Sequence, residues 1–165
     1  MRSPRVPARL ESIDIRITRA LARWGVAALR IGLGIVFLWF GVLKFFPGAS
    51  PAEALAARTI EVLSGGLVGP SLSLPALAIW ESLIGLGLLT GRYLRATLFL
   101  LALQMLGTLT PLLLFPDETF SIFPFAPTLE GQYIIKNVVL VGAAMVVGAT
   151  VRGGRLEPDP RDTTA

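Results

Sequence analysis

The chain has 165 residues, 53% of them hydrophobic, with a formal net charge of +4, no cysteine and no histidine. Without thiols or imidazoles, the sequence excludes a cysteine nucleophile, a disulfide, a cysteine-ligated cluster, a histidine haem ligand and a histidine general base. It therefore predicts no intrinsic metal site and no catalytic residue, and any redox centre would belong to a partner protein or a diffusible ligand. The positive charge is explained by arginines that flank membrane segments, so it does not indicate a nucleic-acid partner.

The apolar content exceeds the roughly 45–50% that is usual in soluble domains, and four long apolar runs account for the excess. The sequence therefore predicts an all-α integral membrane four-helix bundle that lies in a lipid bilayer and occupies residues 26–151. A polar cytoplasmic tail at residues 152–165 is predicted to be disordered. The spans are expected at about 26–46, 74–90, 93–115 and 132–151.

Residues 1–25 are predicted to form a basic cytoplasmic arm. Within it, residues 8–24 carry apolar side chains at helical spacing and arginines mostly elsewhere, which predicts an N-terminal interfacial amphipathic helix lying flat on an anionic membrane surface. A plain cytosolic extension is the alternative. Because the first 24 residues contain no apolar run, the arm is not typical of a cleavable signal peptide, and the first span should act as an uncleaved anchor.

A short helix is predicted between the first two spans. Ser50, Pro51 and Glu53 have the spacing of a capping box with proline at the first helical position, and Gly65 and Gly66 are expected to end the helix. Since this segment is shorter than the about 20 residues that a crossing needs, it should lie at the membrane surface.

Arginines alternate between the two ends of the predicted spans. They are concentrated in the N-terminal arm, in the second-to-third connection (Arg92 and Arg95) and in the tail, whereas the first-to-second connection holds only Arg58 and the third-to-fourth holds none. The positive-inside rule then places both termini in the cytoplasm. The sequence thus predicts a multi-pass protein of the bacterial cytoplasmic (inner) membrane.

Three ionisable residues fall in the outer half of the membrane in this topology, namely Lys44 in span one, Glu81 in span two and Lys136 in span four. A charge near the bilayer centre costs about 2.5–3.5 kcal/mol even on insertion scales, and the short stem of Glu81 cannot carry its carboxylate far toward water. We therefore expect Glu81 to face the bundle interior and to pair with Lys44, Lys136 or both. Two ammonium groups against one carboxylate would leave one excess positive charge, which would attract an anion or polarise a quinone carbonyl.

This ion-pair triad has two other interpretations. It could serve only to lock three helices together, since polar groups stabilise helix packing in membranes, or it could face a partner protein. Arg30 is expected to snorkel to headgroups near the cytoplasmic face, and Tyr133 fits ordinary placement at the membrane interface. The polar residues that could support the site are Gln104, Gln132, Tyr133, Asn137 and Arg30.

Span one contains LRIGLGIVFLWFGVLKFFPG, span two contains IWESLIGLGLL, and span four opens with LEGQYIIKN. These motifs resemble the DoxX-like superfamily of small four-helix bacterial membrane proteins, including its YkgB-like branch, over about residues 26–150. The resemblance implies a lysine late in the first helix, an acid in the second and a lysine early in the fourth, which fall on Lys44, Glu81 and Lys136. A member of this superfamily, DoxD, is similar to a subunit of a thiosulfate:quinone oxidoreductase, and others resemble membrane partners in oxidant defence.

Residues and resemblance together predict a redox-associated membrane subunit with a quinone or small-anion site near the outer leaflet. Such a subunit would be an accessory to a redox protein partner rather than a stand-alone catalyst, and quinone is the candidate cofactor. Two alternatives stay open: a small-solute transporter or channel, which needs a continuous polar path, and a non-catalytic membrane assembly or anchoring protein. The chain could also form an oligomer.

Overall fold

The computed structural model of the protein describes residues 8–50 and 53–157. Pro51 of the predicted capping box and the predicted disorder beyond residue 157 lie outside the described residues. The described chain is almost entirely helical, with one two-stranded hairpin. The elements are α1 (Ala8–Leu43), α2 (Glu53–Leu63), α3 (Pro70–Thr90), α4 (Leu94–Leu109), α5 (Pro111–Leu114), α6 (Pro116–Thr119), β1 (Phe120–Ile122), β2 (Ala126–Pro127) and α7 (Leu129–Ala149).

Within the described ranges, four helical segments are long and apolar enough to cross a membrane. They correspond to the four predicted spans, so the prediction of an all-α four-helix membrane bundle is confirmed. Helix α1 packs most extensively on α3, α3 also contacts α4, and α7 contacts both α4 and α1, so the four helices close into a ring around one core. The segments are Leu10–Leu43, Pro70–Thr90, Leu94–Leu114 and Leu129–Ala149.

The N-terminal arm differs from the sequence prediction. Residues 8–24 do not form a separate interfacial helix but continue without a break into the first span, as a helix of 36 residues. At 1.5 Å per residue this helix is about 54 Å long, well beyond the about 30 Å of a hydrocarbon core. Gly25 does not interrupt this helix, because a single glycine in a run rich in alanine, leucine and arginine is a weak helix breaker.

The other helix boundaries also shift from their predicted positions. Helix α3 begins at Pro70 rather than near residue 74, because a proline is favourable at the first helical position. Helix α7 begins at Leu129 rather than near residue 132, because the Thr128 side chain accepts a hydrogen bond from the Gly131 amide and caps it. The buried residues of the first two turns of α7 are Gly131 and Ile134.

Glycines let α1 and α3 approach until their backbones nearly touch. A Cβ atom on Gly85 would overlap the backbone of Leu38, and one on Gly41 would lie 2.7 Å from the backbone nitrogen of Ser82. Small residues at such crossings allow close packing of membrane helices. The close approach brings the end of α1 within side-chain reach of the middle of α3.

The apolar core fills the half of the bundle that lies away from α2. Buried side chains from all four spanning helices meet there, and Ile84 and Leu88 of α3 are fully buried. Glu81 lies one helical turn from Ile84, toward the end of the bundle that carries α2, which we call the α2 end. The core cluster comprises Leu33, Phe37, Ile84, Leu88, Leu101, Met105, Ala143 and Val147.

Candidate functional site

A buried ion pair joins α3 to the end of α1. The ammonium of Lys44, Nζ, donates to Glu81 Oε2 at 2.6 Å, and the two side chains are only 9% and 10% exposed. Lys44 lies just after the last residue of α1, where the chain turns, and its ammonium also points back to the carbonyl oxygen of Phe40 at 3.4 Å. Glu81 therefore faces the bundle interior, as the cost of exposing a carboxylate to lipid requires.

Gln104 of α4 completes this cluster. Its Nε2 donates to Glu81 Oε1 at 2.9 Å, so each carboxylate oxygen of Glu81 accepts a hydrogen bond from a side chain outside α3. A buried carboxylate needs such partners, because an unpaired charge is expensive away from water. We refer to Lys44, Glu81 and Gln104 as the polar cluster.

Lys136 does not join the polar cluster. It is exposed, and its ammonium lies 5.4 Å from the centre of the ring of Tyr133, which is itself 60% exposed. The residue of α7 that faces the bundle is Ile134, which is buried, and a residue two positions further lies about 200° around the helix. The expected contact between Lys136 and Glu81 is therefore replaced by the contact from Gln104.

The other polar residues at the start of α7 also lie away from the polar cluster. Gln132 is exposed and Asn137 is half-buried, and both are absent from the residues that line the cavity described below. With Lys136 outside, the buried lysine and glutamate balance each other. The cluster then carries no excess positive charge, which removes the electrostatic reason to expect a free anion there.

A cavity of about 460 Å³ opens beside the polar cluster at the α2 end. Its walls come mainly from α2, α3 and α4. Most of its lining is apolar, and all three members of the polar cluster line it. Thr59, Ser73 and Thr108 also line it, but each hydroxyl donates to a backbone carbonyl of its own helix. The apolar lining residues are Leu55, Ala56, Ile60, Leu63, Val68, Ala76, Leu77, Trp80, Leu103, Gly107, Pro111 and Ile134.

Helix α2 forms one wall of the cavity and is joined to the segment that follows α5. Arg58 of α2 forms an ion pair with Glu118 of α6 at 2.6 Å, and its guanidinium lies 4.5 Å from the centre of the Phe115 ring. This helix was predicted to lie at the membrane surface, with no part in the site. The apolar spacing of Ala56, Ile60 and Leu63 on one face is the signal that could have shown it packing inward.

Arg30 lies near the opposite end of the bundle and does not reach toward headgroups as expected. Its guanidinium donates to the carbonyl oxygens of Leu88 and Leu89 in the last turn of α3. The last carbonyls of a helix have no partner within the helix, and a cation is favourable there. Arg30 is thus a cap for α3 rather than a member of the site.

Replacement of Arg30 by methionine should lower the free energy of unfolding by about 1.5–3 kcal/mol, the usual contribution of hydrogen bonds to a charged group. The methionine keeps most of the apolar stem but leaves the α3 carbonyls without donors. Unfolding in mixed detergent micelles measures the effect. The exposed Arg92 of the next turn is the matched control, and an equal loss in Arg92→Met would contradict the capping role.

The polar cluster presents hydrogen-bonding groups to a mostly apolar cavity. An ammonium has three hydrogens, and the two described acceptors of Lys44 leave one for a ligand. A site of this kind suits a molecule with a polar head and an apolar body, since binding pockets are mostly apolar with a few placed polar groups.

A family model described as DoxX matches residues 25–115, more than half of the chain. The matched region contains α1 from Gly25 onward, α2, α3, α4 and α5, and therefore every member of the polar cluster. Lys136 lies outside it. Neither the curated proteins nor the solved structures compared with this chain gave a match.

Proposed function

The chain belongs to the DoxX family, and we propose that it is a redox-associated membrane subunit whose cavity binds a quinone. The observation that carries this proposal is the mostly apolar cavity that the buried polar cluster helps to line. Its volume of about 460 Å³ falls within the roughly 300–1,000 Å³ of small-molecule sites. The remaining hydrogen of Lys44 would be donated to a quinone carbonyl oxygen, and the apolar walls would contact the ring and the start of its tail.

The charge balance of the polar cluster favours a neutral ligand over a small anion. An anion would have to enter an apolar cavity and approach the carboxylate of Glu81, and transfer of an unpaired charge out of water is costly. A quinone carbonyl requires only a donor, which Lys44 supplies. With the predicted topology, the site lies in the outer half of the bacterial inner membrane.

The protein would hold the quinone, and a partner protein would exchange electrons with it. Transport of a small solute is less well supported, because the packed core of Leu33, Ile84 and Leu88 lies directly beyond Glu81. A polar path through the bundle would have to pass these buried side chains. The polar cluster could instead have a purely structural role, and the following experiment distinguishes that role from ligand binding.

Trp80 lines the cavity and provides an internal probe. Of the three tryptophans in the chain, Trp24 and Trp39 are exposed and can be replaced by phenylalanine. In nanodiscs, added decylubiquinone should then quench the fluorescence of Trp80 in a saturable manner. A variant that keeps only Trp39 is the control, since random collisions in the bilayer should quench it without saturation.

Removal of both charges of the polar cluster should weaken this saturable quenching. In Lys44→Met/Glu81→Met we expect the dissociation constant for decylubiquinone to rise about tenfold or more, because a hydrogen bond from a charged donor is lost. Lys136→Met removes a lysine of the same charge outside the cavity and should leave binding unchanged. Non-saturable quenching of Trp80 in the wild type, or equal binding by the double variant, would overturn the proposal.

A further inference from the structure

Residues of both α3 and α4 line the cavity, and we call the space between Ala76 of α3 and Leu103 and Gly107 of α4 the gap. On the core side of this gap the two helices are in close contact, because Trp80 Nε1 donates to the carbonyl oxygen of Leu100 at 3.3 Å. Nearer the end of the bundle opposite α2, α3 and α4 are again in close contact, since a Cβ atom on Gly87 would overlap the Thr97 side chain. Trp80 thus marks the inner limit of the gap.

The rim of the gap is apolar and exposed. Ala76 of α3 is exposed, Leu103 of α4 is 41% exposed and Leu63 at the end of α2 is 56% exposed, and all three line the cavity. Gly107 lines it as well, and a Cβ atom there would find no described atom within 4 Å. Because α3 and α4 belong to membrane-spanning segments, an exposed apolar rim on them faces lipid.

Another wall of the cavity is formed by α2, through Leu55, Ala56, Thr59 and Ile60. The ion pair between Arg58 and Glu118 joins this helix to α6. The packing of the Arg58 guanidinium on Phe115 adds a second contact between α2 and the segment after α5. A molecule coming from water would have to displace α2, whereas one dissolved in the bilayer meets an open apolar gap.

We infer that the ligand of the cavity enters and leaves sideways, from the bilayer through the gap between α3 and α4, and is therefore a membrane-soluble amphiphile. This inference rests on the proposed function, since it concerns the same cavity. The polar head passes Ala76 and Gly107 to reach the polar cluster, and the tail stays in the gap and extends into lipid. Residues with little or no side chain at these two positions keep the passage open.

Stopped-flow measurement of Trp80 quenching by decylubiquinone in nanodiscs tests the route. Gly107→Leu should slow both association and dissociation by about tenfold, because a portal limits the rate of exchange in both directions. Gly142→Leu is the matched control, since Gly142 on α7 also has no described atom near a built Cβ. Ala76→Leu narrows the gap from the α3 side and should act in the same direction, which guards against a folding defect in one variant.

The experiment separates failure of the route from failure of the site. Saturable quenching with unchanged rates in Gly107→Leu and Ala76→Leu, together with faster exchange when Arg58→Ala releases α2, would overturn lateral entry and leave the quinone site intact. Non-saturable quenching in the wild type would overturn both. Slower exchange in the two portal variants, with rates unchanged in Arg58→Ala and Gly142→Leu, is the result we expect.

Discussion

Replacement of Glu81 by methionine should destabilise the protein by about 3 kcal/mol or more, because it leaves the ammonium of Lys44 buried without its counter-ion. Lys44 is only 9% exposed and its closest acceptor is Glu81 Oε2, so it cannot easily exchange that carboxylate for water. Gln104 loses its acceptor in the same variant. Unfolding in mixed detergent micelles gives the free-energy difference, and Glu61→Met, at an exposed glutamate of α2, is the control.

The double variant Lys44→Met/Glu81→Met should regain most of the free energy of unfolding that Glu81→Met loses. Replacing a whole buried ion pair by apolar residues of similar size is often neutral or stabilising, whereas removing one partner is not. The difference between the single and double variants gives the coupling between the two residues. A double variant that is less stable than Glu81→Met would contradict the pairing of Lys44 with Glu81.

Gly85→Leu should prevent α1 and α3 from packing and should abolish ligand binding as well. Even the first side-chain atom would overlap the backbone of Leu38, so the helices must separate rather than a side chain rotate. Overpacking of this kind usually costs about 1–3 kcal/mol and occasionally more, and a backbone overlap belongs at the upper end. Separation of α1 from α3 would also pull Lys44 away from Glu81.

Gly32→Leu is the matched control for this prediction. Gly32 lies on the same helix α1, is exposed, and has no described atom within 4 Å of a built Cβ. Its leucine variant should keep both its stability and its saturable quenching of Trp80. Equal losses in the two variants, or a Gly85→Leu protein that unfolds like the wild type, would show that the close α1–α3 crossing is not required.

The sequence was sufficient to predict the four spans and to name Lys44 and Lys136 as the candidate partners of Glu81, because hydropathy reports the depth of a residue along a membrane helix. It could not report which way each helix is turned. In a soluble bundle the polar face shows the outside, but a spanning helix is apolar toward both lipid and core, so that signal is weak. Lys136 lies at the predicted depth, but the rotation of α7 turns its side chain away from Glu81.

The roles of two further parts of the site, Gln104 and α2, could be assigned only from the structure. Gln104 lies in the middle of an apolar helix, and only the packing of α4 on α3 shows that its amide takes the place expected for Lys136. The role of α2 depends on tertiary contacts, since the ion pair from Arg58 to Glu118 joins residues 60 positions apart. The length of α1 could not be predicted, because the apolar spacing of residues 8–24 fits both a separate surface helix and an extension of the first span.

The most direct test of the quinone site is to identify the small molecule that co-purifies with the protein from its native membrane. Wild type and Lys44→Met/Glu81→Met can be purified in polymer-bounded membrane discs and compared by native mass spectrometry and solvent extraction. We expect the wild type to retain a near-stoichiometric neutral quinone and the folded double variant to lose it. Retention of phospholipid alone, at the same level in both proteins, would contradict a quinone site and leave the polar cluster with a structural role only.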